Sequence, residues 1–333
     1  MPSLSPAVAE VRRAVRTALA DLPEGVTVAV ALSGGADSLA LASATAFEAR
    51  SRRIRVVSIT VDHGLQEESA DAAAAAAVAA EGVGVADALQ TRVEVDSASG
   101  VGIEAAARDA RYAALAGVAR AEGAVAVLLG HTLDDQAETV LLGLARGSGA
   151  TSLQGMAPVR EEDDGLRWIR PLLGVRRETT RAFCTASALE IWDDPHNVDE
   201  RFARVRVRRN VLPVLESELG PGIAEALART AEQLREDAAA FDEMIHETIE
   251  DIVEHAEAGI SVSVAALAAN PAALRNRIIR LVVDSEFGAS LSRAQTLEVA
   301  RLATDWSGQG PIDLPGCSAA RLGGRIVFTA AGR

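Results

Sequence analysis

The sequence of 333 residues contains no lysine, so each of its 33 basic residues is an arginine. This absence excludes chemistry that needs a lysine side chain, such as a Walker A phosphate lysine, a Schiff base or a lysine general base. Cysteine is nearly absent as well. Cys184 and Cys317 lie far apart, which excludes a CxxC pair, a zinc-ligand spacing and a disulfide framework. We therefore expect a reducing compartment, the cytoplasm.

Long uncharged segments and an excess of positive charge are also missing. No window of about 18 residues is free of charge in the way that a membrane span requires, so no membrane association is expected. Residues 1–20 carry charged side chains and lack the apolar core of a signal peptide. The formal net charge of -14 argues against a protein that coats nucleic acid through non-specific phosphate contacts. A local basic patch is compatible with this charge.

Apolar runs of strand length alternate with helical segments in the first two thirds of the chain. The predicted strands lie within VTVAVAL (26–32), IRVVSITV (54–61), VADALQTRVEV (85–95), AVAVLLGH (124–131) and RWIRPLL (167–173). This alternation predicts an α/β fold with a doubly wound, five-stranded parallel sheet. Helical periodicity dominates after about residue 210, followed by a hairpin within 317–330. We predict a catalytic domain over 1–209 and a smaller, mainly helical domain with a terminal hairpin over 210–333.

Polar clusters follow three of the predicted strands, where parallel strands end at one edge of the sheet. These clusters are SGGADS (33–38), DHG (62–64) and HTLDD (131–135). Glycines that let the backbone approach a ligand, followed by a helix N-terminus, indicate a phosphate site at SGGADS. An ordinary strand-to-helix turn with Asp37 as its N-cap is the alternative.

The stretch S-G-G-x-D-S resembles the PP-loop of the N-type ATP pyrophosphatases. Further motifs resemble, in order, those of the tRNA(Ile)-lysidine synthetase family. They are VDHGL (61–65), ARDARY (107–112), GHTLDDQAETVLLGLARGSGATSLQGM (130–156), RPLL (170–173), and WDDPHN with RFARVRVRRNVLPVL (192–215). The resemblance covers roughly residues 25–215, and HxxDDQxET with RGSG is its most specific part.

The resemblance implies a ligase that uses ATP and Mg²⁺. Such an enzyme joins free L-lysine to C2 of the first anticodon cytidine of a minor isoleucine tRNA with a CAU anticodon. The reaction passes through an adenylated cytidine, releases AMP and pyrophosphate, and produces lysidine. A carboxylate beside a triphosphate would be repulsive without a cation, so Asp37 is expected to reach the ATP phosphates through Mg²⁺. The implied ATP-binding residues are Ser33, Gly34, Gly35, Ala36, Asp37, Ser38, Thr60, Asp62 and His63.

Lysine carries two positive groups and one carboxylate, so its site needs acids and an arginine. Asp135 and Glu138 lie three apart on one predicted helix and share a face, which makes them our candidates for the ammonium groups. Arg111 is our candidate for the carboxylate, through a bidentate pair. The predicted catalytic residues are Asp37, His131 and Asp135. First-turn acids that complement the helix dipole are the alternative for Asp135 and Glu138, and Asp134 could orient the loop or help a metal.

The run RFARVRVRR (201–209) carries five arginines in nine positions. Arginine contacts to phosphate would position the anticodon stem-loop, and a helix with a solvated basic face is the alternative. The predicted tRNA-binding residues are Arg146, Arg170, Arg201, Arg204, Arg206, Arg208 and Arg209. Two departures from the family pattern bear on these contacts, because His196 precedes Asn197 and Val205 stands at the usual asparagine.

Other functions stay open from the sequence. Another PP-loop enzyme is one, although similar tRNA-cytidine thiolases need CxxC cysteines and an amidotransferase needs a nucleophile module. A non-catalytic nucleotide-binding or tRNA-binding module is the second, although mere binding would not need the acids Asp37, Asp135 and Glu138 together. The sequence leaves a homodimer open. The acidic, turn-rich segment 157–167 is predicted to form a mobile loop.

Overall fold

The computed structural model describes residues 5–62, 69–93, 103–147, 149–192, 198–256 and 259–331. The chain divides into two compact units, Met1–Arg235 and Glu236–Arg333. In the described residues, no helix combines the length and apolarity that a bilayer-spanning segment needs. The functional boundary at residues 209 and 210 stays a prediction.

The first unit is built on a six-stranded sheet. Its strands are β1 (Thr27–Ala31), β2 (Arg55–Asp62), β3 (Asp87–Arg92), β4 (Ala124–Leu128), β5 (Val159–Glu161) and β6 (Arg167–Ile169). They follow the order β3-β2-β1-β4-β6-β5, with all pairs parallel except β5 with β6. The predicted parallel α/β sheet is confirmed. The edge strand β5 was not predicted, because its acidic segment within 157–167 indicated a loop.

Ten α-helices precede, connect or follow these strands in the described residues. They are α1 (Pro6–Ala20), α2 (Ala36–Ala49), α3 (Ser69–Gly82), α4 (Ile103–Ala121), α5 (Leu133–Ala145), α6 (Ala150–Leu153), α7 (Arg177–Ala186), α8 (Ala203–Arg206), α9 (Leu212–Leu219) and α10 (Ile223–Ile252). A short π-helical turn, Val207–Val211, joins α8 to α9. The helix α10 continues into the second unit.

Side chains of β1 alternate between two apolar cores. Val28 and Val30 lie in a core with buried residues of α1, α2 and α7. Ala29 lies in a second core with Leu115 of α4 and the fully buried Trp168 of β6. Because successive strand residues point to opposite faces, this central strand is covered by helices on both sides, as a doubly wound sheet requires.

The second unit contains a five-stranded antiparallel sheet in the order β7-β8-β11-β10-β9. Its elements are β7 (Val253–Ala256), β8 (Gly259–Ser263), α11 (Val264–Ala269), α12 (Ala272–Phe287), α13 (Arg293–Thr304), β9 (Ile312–Leu314), β10 (Cys317–Leu322) and β11 (Arg325–Ala330). The hairpin predicted within 317–330 is β10 paired with β11. The other three strands were not predicted, because runs this short show too little alternation.

The order of the parallel strands fixes where a ligand can lie. β1 is flanked by β2 and β4, so the connections leave it in opposite directions and open a crevice at the carboxyl ends of β1 and β4. A Cβ atom added at Gly130, just after β4, would lie 3.2 Å from the backbone C and O of Asp37 and from N of Ser38. The absence of a side chain at Gly130 therefore brings the two loops together.

Gly130→Ala should push the exit of β4 away from the start of α2. We expect the free energy of unfolding to fall by about 1–3 kcal/mol, as for other overpacked sites. Urea unfolding measures this effect. Gly117→Ala is the matched control, because nothing lies within 4 Å of its added Cβ in α4. It should stabilise the protein by roughly 0.5–1 kcal/mol. Equal stability of the two variants would contradict the close approach.

Candidate active site

The loop between β1 and α2 is shaped by its own serines. The backbone N–H of Ser33 donates to Oγ of Ser38 over 3.1 Å, and that hydroxyl donates to the carbonyl of Gly35 over 2.9 Å. Gly34 has a φ of 81°, and its carbonyl accepts from the backbone N–H of Trp192 over 3.1 Å. In the part of the chain that the structure describes, no side chain caps α2. Its first backbone amides are thus available to an anion.

The loop after β4 leads into α5 through a capping box. Thr132 is the N-cap, and its backbone N–H and hydroxyl donate to Oδ2 of Asp135 over 2.8 and 2.9 Å. This geometry is part of the alternative considered for Asp135, a first-turn acid that stabilises its helix. Only Oδ2 is used in this way, so Oδ1 of Asp135 is directed to another partner.

Three predicted site residues form one acid cluster, which we define as Asp37, Asp135 and Glu138. A single guanidinium, that of Arg177 at the start of α7, contacts all three carboxylates. Its Nη2 lies 2.5 Å from Oδ1 of Asp135, its Nη1 3.2 Å from Oε1 of Glu138, and its Nε 3.4 Å from Oδ2 of Asp37. Glu138 is fully buried. The acids that the sequence placed at one edge of the sheet therefore do meet.

A second arginine, Arg208 of the π-helical turn, also pairs with the carboxylate of Glu138. Its Nε lies 2.7 Å from Oε1 and its Nη2 3.1 Å from Oε2 of Glu138, a two-point contact. A further contact of 3.5 Å joins Nη2 to Oδ1 of Asp135. Arg208 thus turns into the acid cluster, and its assignment to tRNA stays a prediction.

The pKa values of the Asp37 and Asp135 carboxylates are shifted in opposite directions. Burial raises the pKa of Asp37 above its ordinary value, against the opposing effects of the Thr180 hydroxyl and Arg177. Burial also acts to raise the pKa of Asp135, but Arg177 and the hydrogen bonds from Thr132 outweigh it and the pKa is lowered. Asp135 is therefore the more firmly ionised of the two.

The start of α7 is held by side chains from other elements. Oδ2 of Asp134 accepts the backbone N–H of Arg177 over 2.7 Å, and the hydroxyl of Thr180 donates to Oδ1 of Asp37. Asp134 therefore orients the chain, one of the two roles considered for it. Arg177 and Thr180 were not among the residues predicted from the sequence. Their segment RRETT follows the fifth predicted strand, and its position at the same sheet edge was the available signal.

Arginine side chains also lie near His131 and Arg111. We define the basic cluster as Arg108, Arg111, Arg170 and Arg204. Burial lowers the pKa of the His131 imidazole to about 3, and Arg170, Arg111 and Arg108 add to this, although Asp135 opposes it. Burial lowers the pKa of Arg111 too, with Arg108 and Arg204 contributing. His131 is therefore neutral at pH 7, and its buried Nδ1 has no partner among the described residues.

The remaining predicted nucleotide residues lie at or near the end of β2. Thr60 is buried within the strand, and Asp62 ends it, with Oδ2 4.0 Å from Nε of Arg92. His63 lies outside the described residues. The structure leaves the assignment of Thr60, Asp62 and His63 to ATP as a prediction.

The arginine run does not form one basic face, because α8 passes into a π-helical turn after Arg206. Arg201 pairs with Asp199 over 2.6 Å, and Arg206 and Arg209 donate to backbone carbonyls. Arg146 is exposed at the C-cap of α5. Their contacts with tRNA stay predictions, and the departures at His196 and Asn197 lie outside the described residues.

Comparison with known proteins identifies the family. A model described as a PP-loop domain matches residues 8–215, and one described as the TilS substrate binding domain matches residues 263–327. A tRNA(Ile)-lysidine synthase of Leifsonia xyli is 58% identical over 308 residues, 92% of this chain and 91% of that protein. The chain belongs to the tRNA(Ile)-lysidine synthase family. A member from Salinispora tropica is 49% identical over 95% of this chain and 94% of its own length. The predicted family is confirmed.

The same fold occurs in a solved enzyme of different activity. The U34-tRNA thiolase of Methanococcus maripaludis superposes with a TM-score of 0.58 at 21% identity, over 69% of this chain and 80% of that one. This likeness shows the fold alone.

In this member of the lysidine synthase family, Cys184 is buried against the start of α2, where burial raises the pKa of its thiol to about 11. It is therefore a packing residue.

The low pKa of His131 predicts a stability effect with a defined sign. As pH falls below 6.5, the unfolded chain binds a proton at His131 but the folded protein does not until about pH 3, so stability is lost across this window. Between pH 7 and pH 5, the free energy of unfolding of the wild-type protein should fall by about 2 kcal/mol more than that of His131→Gln. Urea unfolding at both pH values measures the difference. If the wild-type protein and His131→Gln lost the same free energy of unfolding, the conclusion that His131 is buried and neutral would be contradicted.

Proposed function

We propose that this chain ligates free L-lysine to C2 of the first anticodon cytidine of an isoleucine tRNA with a CAU anticodon. The reaction uses ATP, proceeds through an adenylated cytidine, and releases pyrophosphate and AMP. The names of the relatives and the two family models support tRNA(Ile) as the substrate and lysidine as the product. The cytoplasm, where this tRNA is used, is the location that we propose.

One observation carries the assignment of lysine: carboxylates and arginines both lie close to His131, because Asp135 and three arginines of the basic cluster act on its imidazole. The acid cluster supplies carboxylates for an ammonium group, and the basic cluster, which includes Arg111, supplies guanidinium groups for a carboxylate. Lysine has both kinds of group and an additional amine. A site for an uncharged amine donor would not need charges of both signs.

Asp37 is suited to share a cation with ATP. Mg²⁺ usually takes one or two protein carboxylates and completes its shell with water and substrate phosphates. Among the described residues, no three His, Cys, Asp or Glu side chains form a cage that could hold a metal by themselves. The donor set therefore fits a cation whose other ligands come from ATP. When bound, Mg²⁺ would neutralise phosphate charge during transfer.

Two displacements complete the proposed reaction. The O2 atom of cytidine attacks the α-phosphorus of ATP, an O–P bond forms, and the bond to pyrophosphate breaks. The ε-ammonium group of lysine gives a proton to solvent, the resulting amine attacks C2 and forms a C–N bond, and the C2–O2 bond breaks, so that AMP leaves with the former O2 atom. Neutral His131 has both Asp135 and arginines of the basic cluster nearby, and its imidazole can accept a hydrogen bond from the attacking amine. The ionised Asp135 beside it holds the ammonium groups.

The tRNA must deliver an unstacked cytidine to this crevice. Extrusion of a base costs little in a single-stranded loop, because no partner strand has to be displaced. The exposed arginines Arg201, Arg206 and Arg209, with Arg146, are the proposed contacts to the anticodon stem-loop, whereas Arg208 contacts Glu138 and Arg170 and Arg204 belong to the basic cluster. The second unit contains the segment similar to a substrate binding domain, which supports further tRNA contacts there.

The direct test is transfer of radiolabelled lysine to a tRNA(Ile) transcript with a CAU anticodon, in the presence of ATP and Mg²⁺. We expect tRNA-bound label, and none with a transcript whose first anticodon base is guanosine. Asp37→Asn should abolish labelling, because it removes the charge that the proposed cation needs. Absence of label with the wild-type protein and the CAU transcript would refute the proposal.

Glu138→Gln keeps the shape of the acid cluster but removes a negative charge. This charge pairs with Arg177 and Arg208 and, in the proposed function, with an ammonium group of lysine. We expect the KM for lysine to rise by roughly 10- to 100-fold, from the loss of charge-assisted hydrogen bonds, with little change in the KM for ATP. Steady-state kinetics measure both constants. Glu225→Gln, at the start of α10, is the control and should change neither. A selective rise in the KM for ATP would assign Glu138 to the nucleotide instead.

A further inference from the structure

The guanidinium of Arg177 occupies the oxygens that the proposed function gives to lysine. Each acid of the cluster also has a second partner: Thr180 for Asp37, Thr132 for Asp135 and Arg208 for Glu138. The three acids would therefore remain positioned if the side chain of Arg177 withdrew. Arg208 differs in this respect, because it makes a two-point contact with the fully buried Glu138.

The attachment of Arg177 allows its side chain to move while α7 stays in place. Its backbone N–H is fixed by Asp134 over 2.7 Å, independently of the guanidinium. The side chain is 20% exposed, which gives it a way out toward solvent. Its contact with Asp37, at 3.4 Å, is the longest of the three. The weakest contact is thus to the carboxylate that the proposed function assigns to Mg²⁺.

Arg177 and Arg208 already share Oε1 of Glu138 and Oδ1 of Asp135, so two guanidinium groups balance these two carboxylates. An ammonium group within contact distance of Asp135 and Glu138 would add a third positive charge beside the guanidinium of Arg177, and like charges so close together repel strongly in a partly buried site. Without any cation, the acids would repel one another at the same place. Beside the charge of Arg208, the acid cluster therefore takes one more positive charge at this place, supplied either by the protein or by the substrate.

We propose that the guanidinium of Arg177 is an internal substitute for a substrate ammonium group. It neutralises the acid cluster in the free enzyme and leaves the cluster when lysine binds. This inference rests on the proposed function, because it takes lysine as the ligand of Asp135 and Glu138. As an internal competitor, Arg177 lowers the apparent affinity for lysine by the fraction of time that it occupies the cluster.

Removal of the competitor should strengthen lysine binding. We would measure the Kd for lysine by isothermal titration calorimetry, with Mg²⁺ and a non-hydrolysable ATP analogue present. Arg177→Met should lower this Kd on the order of tenfold. Arg176→Met is the matched control, since Arg176 contacts Asp134 and Glu225 and not the acid cluster. It should leave the Kd unchanged. A higher Kd for Arg177→Met would overturn the proposal and make Arg177 a fixed positioning residue.

Chemical rescue with methylguanidinium is a second experiment that distinguishes a competitor of lysine from a fixed positioning residue. In Arg177→Ala, methylguanidinium should re-enter the cluster and compete with lysine, which raises the KM for lysine without changing the KM for ATP. A fixed positioning role predicts the opposite, because methylguanidinium would then restore activity at every lysine concentration. Stimulation at saturating lysine would therefore overturn the proposal.

A measurement on the wild-type protein covers the case in which the neutral variants do not fold. The Nε–H resonance of Arg177 in arginine-labelled protein can be assigned with Arg177→Lys, which keeps the charge. Saturating lysine should shift this resonance, and an unchanged resonance would overturn the proposal. Wild-type protein that binds no lysine would contradict the proposed function as well. Normal lysine incorporation with weaker binding by Arg177→Met would contradict only the exchange.

Discussion

Three carboxylates held around one guanidinium are the constraint on which the rest of the site depends. Asp37, Asp135 and Glu138 come from the starts of α2 and α5, and Arg177 from the start of α7. Removing one partner of a buried ionic group typically costs about 3–5 kcal/mol, so these helix starts are coupled electrostatically as well as by packing. The parallel sheet makes the meeting possible, because its strands β1 and β4 end side by side and Gly130 lets their loops touch.

The same constraint sets the charges around His131. The acid cluster holds Arg177 and Arg208, and both Asp135 and arginines of the basic cluster act on His131, which burial keeps neutral. In the proposed function, lysine brings groups of both charges to this site. ATP is proposed to bind at the loop after β1, which presents backbone amides, with Asp37 as one carboxylate for a shared cation.

Much of this arrangement could be predicted from the sequence. Apolar strands followed at once by SGGADS and HTLDD fix the sheet and bring Asp37, Asp135 and Glu138 together by topology alone. Arg177 was not predicted, because nothing in RRETT distinguishes it from its neighbour Arg176. Only the packing of α7 against α2 decides which of the two arginines turns toward the acids. Arg208 was grouped with the run at 201–209 for a similar reason, since a π-helical turn that redirects a side chain leaves no periodic signal. Short strands such as β5 and β9 carry too few residues to show alternation.

A structure of the protein with lysine, Mg²⁺ and a non-hydrolysable ATP analogue would show whether lysine replaces Arg177 in the acid cluster. We expect an ammonium group of lysine at Asp135 and Glu138, the carboxylate of lysine at Arg111, and the guanidinium of Arg177 withdrawn from the acid cluster. Arg208 should remain on Glu138. A complex in which Arg177 still contacts all three carboxylates while lysine lies elsewhere would contradict it.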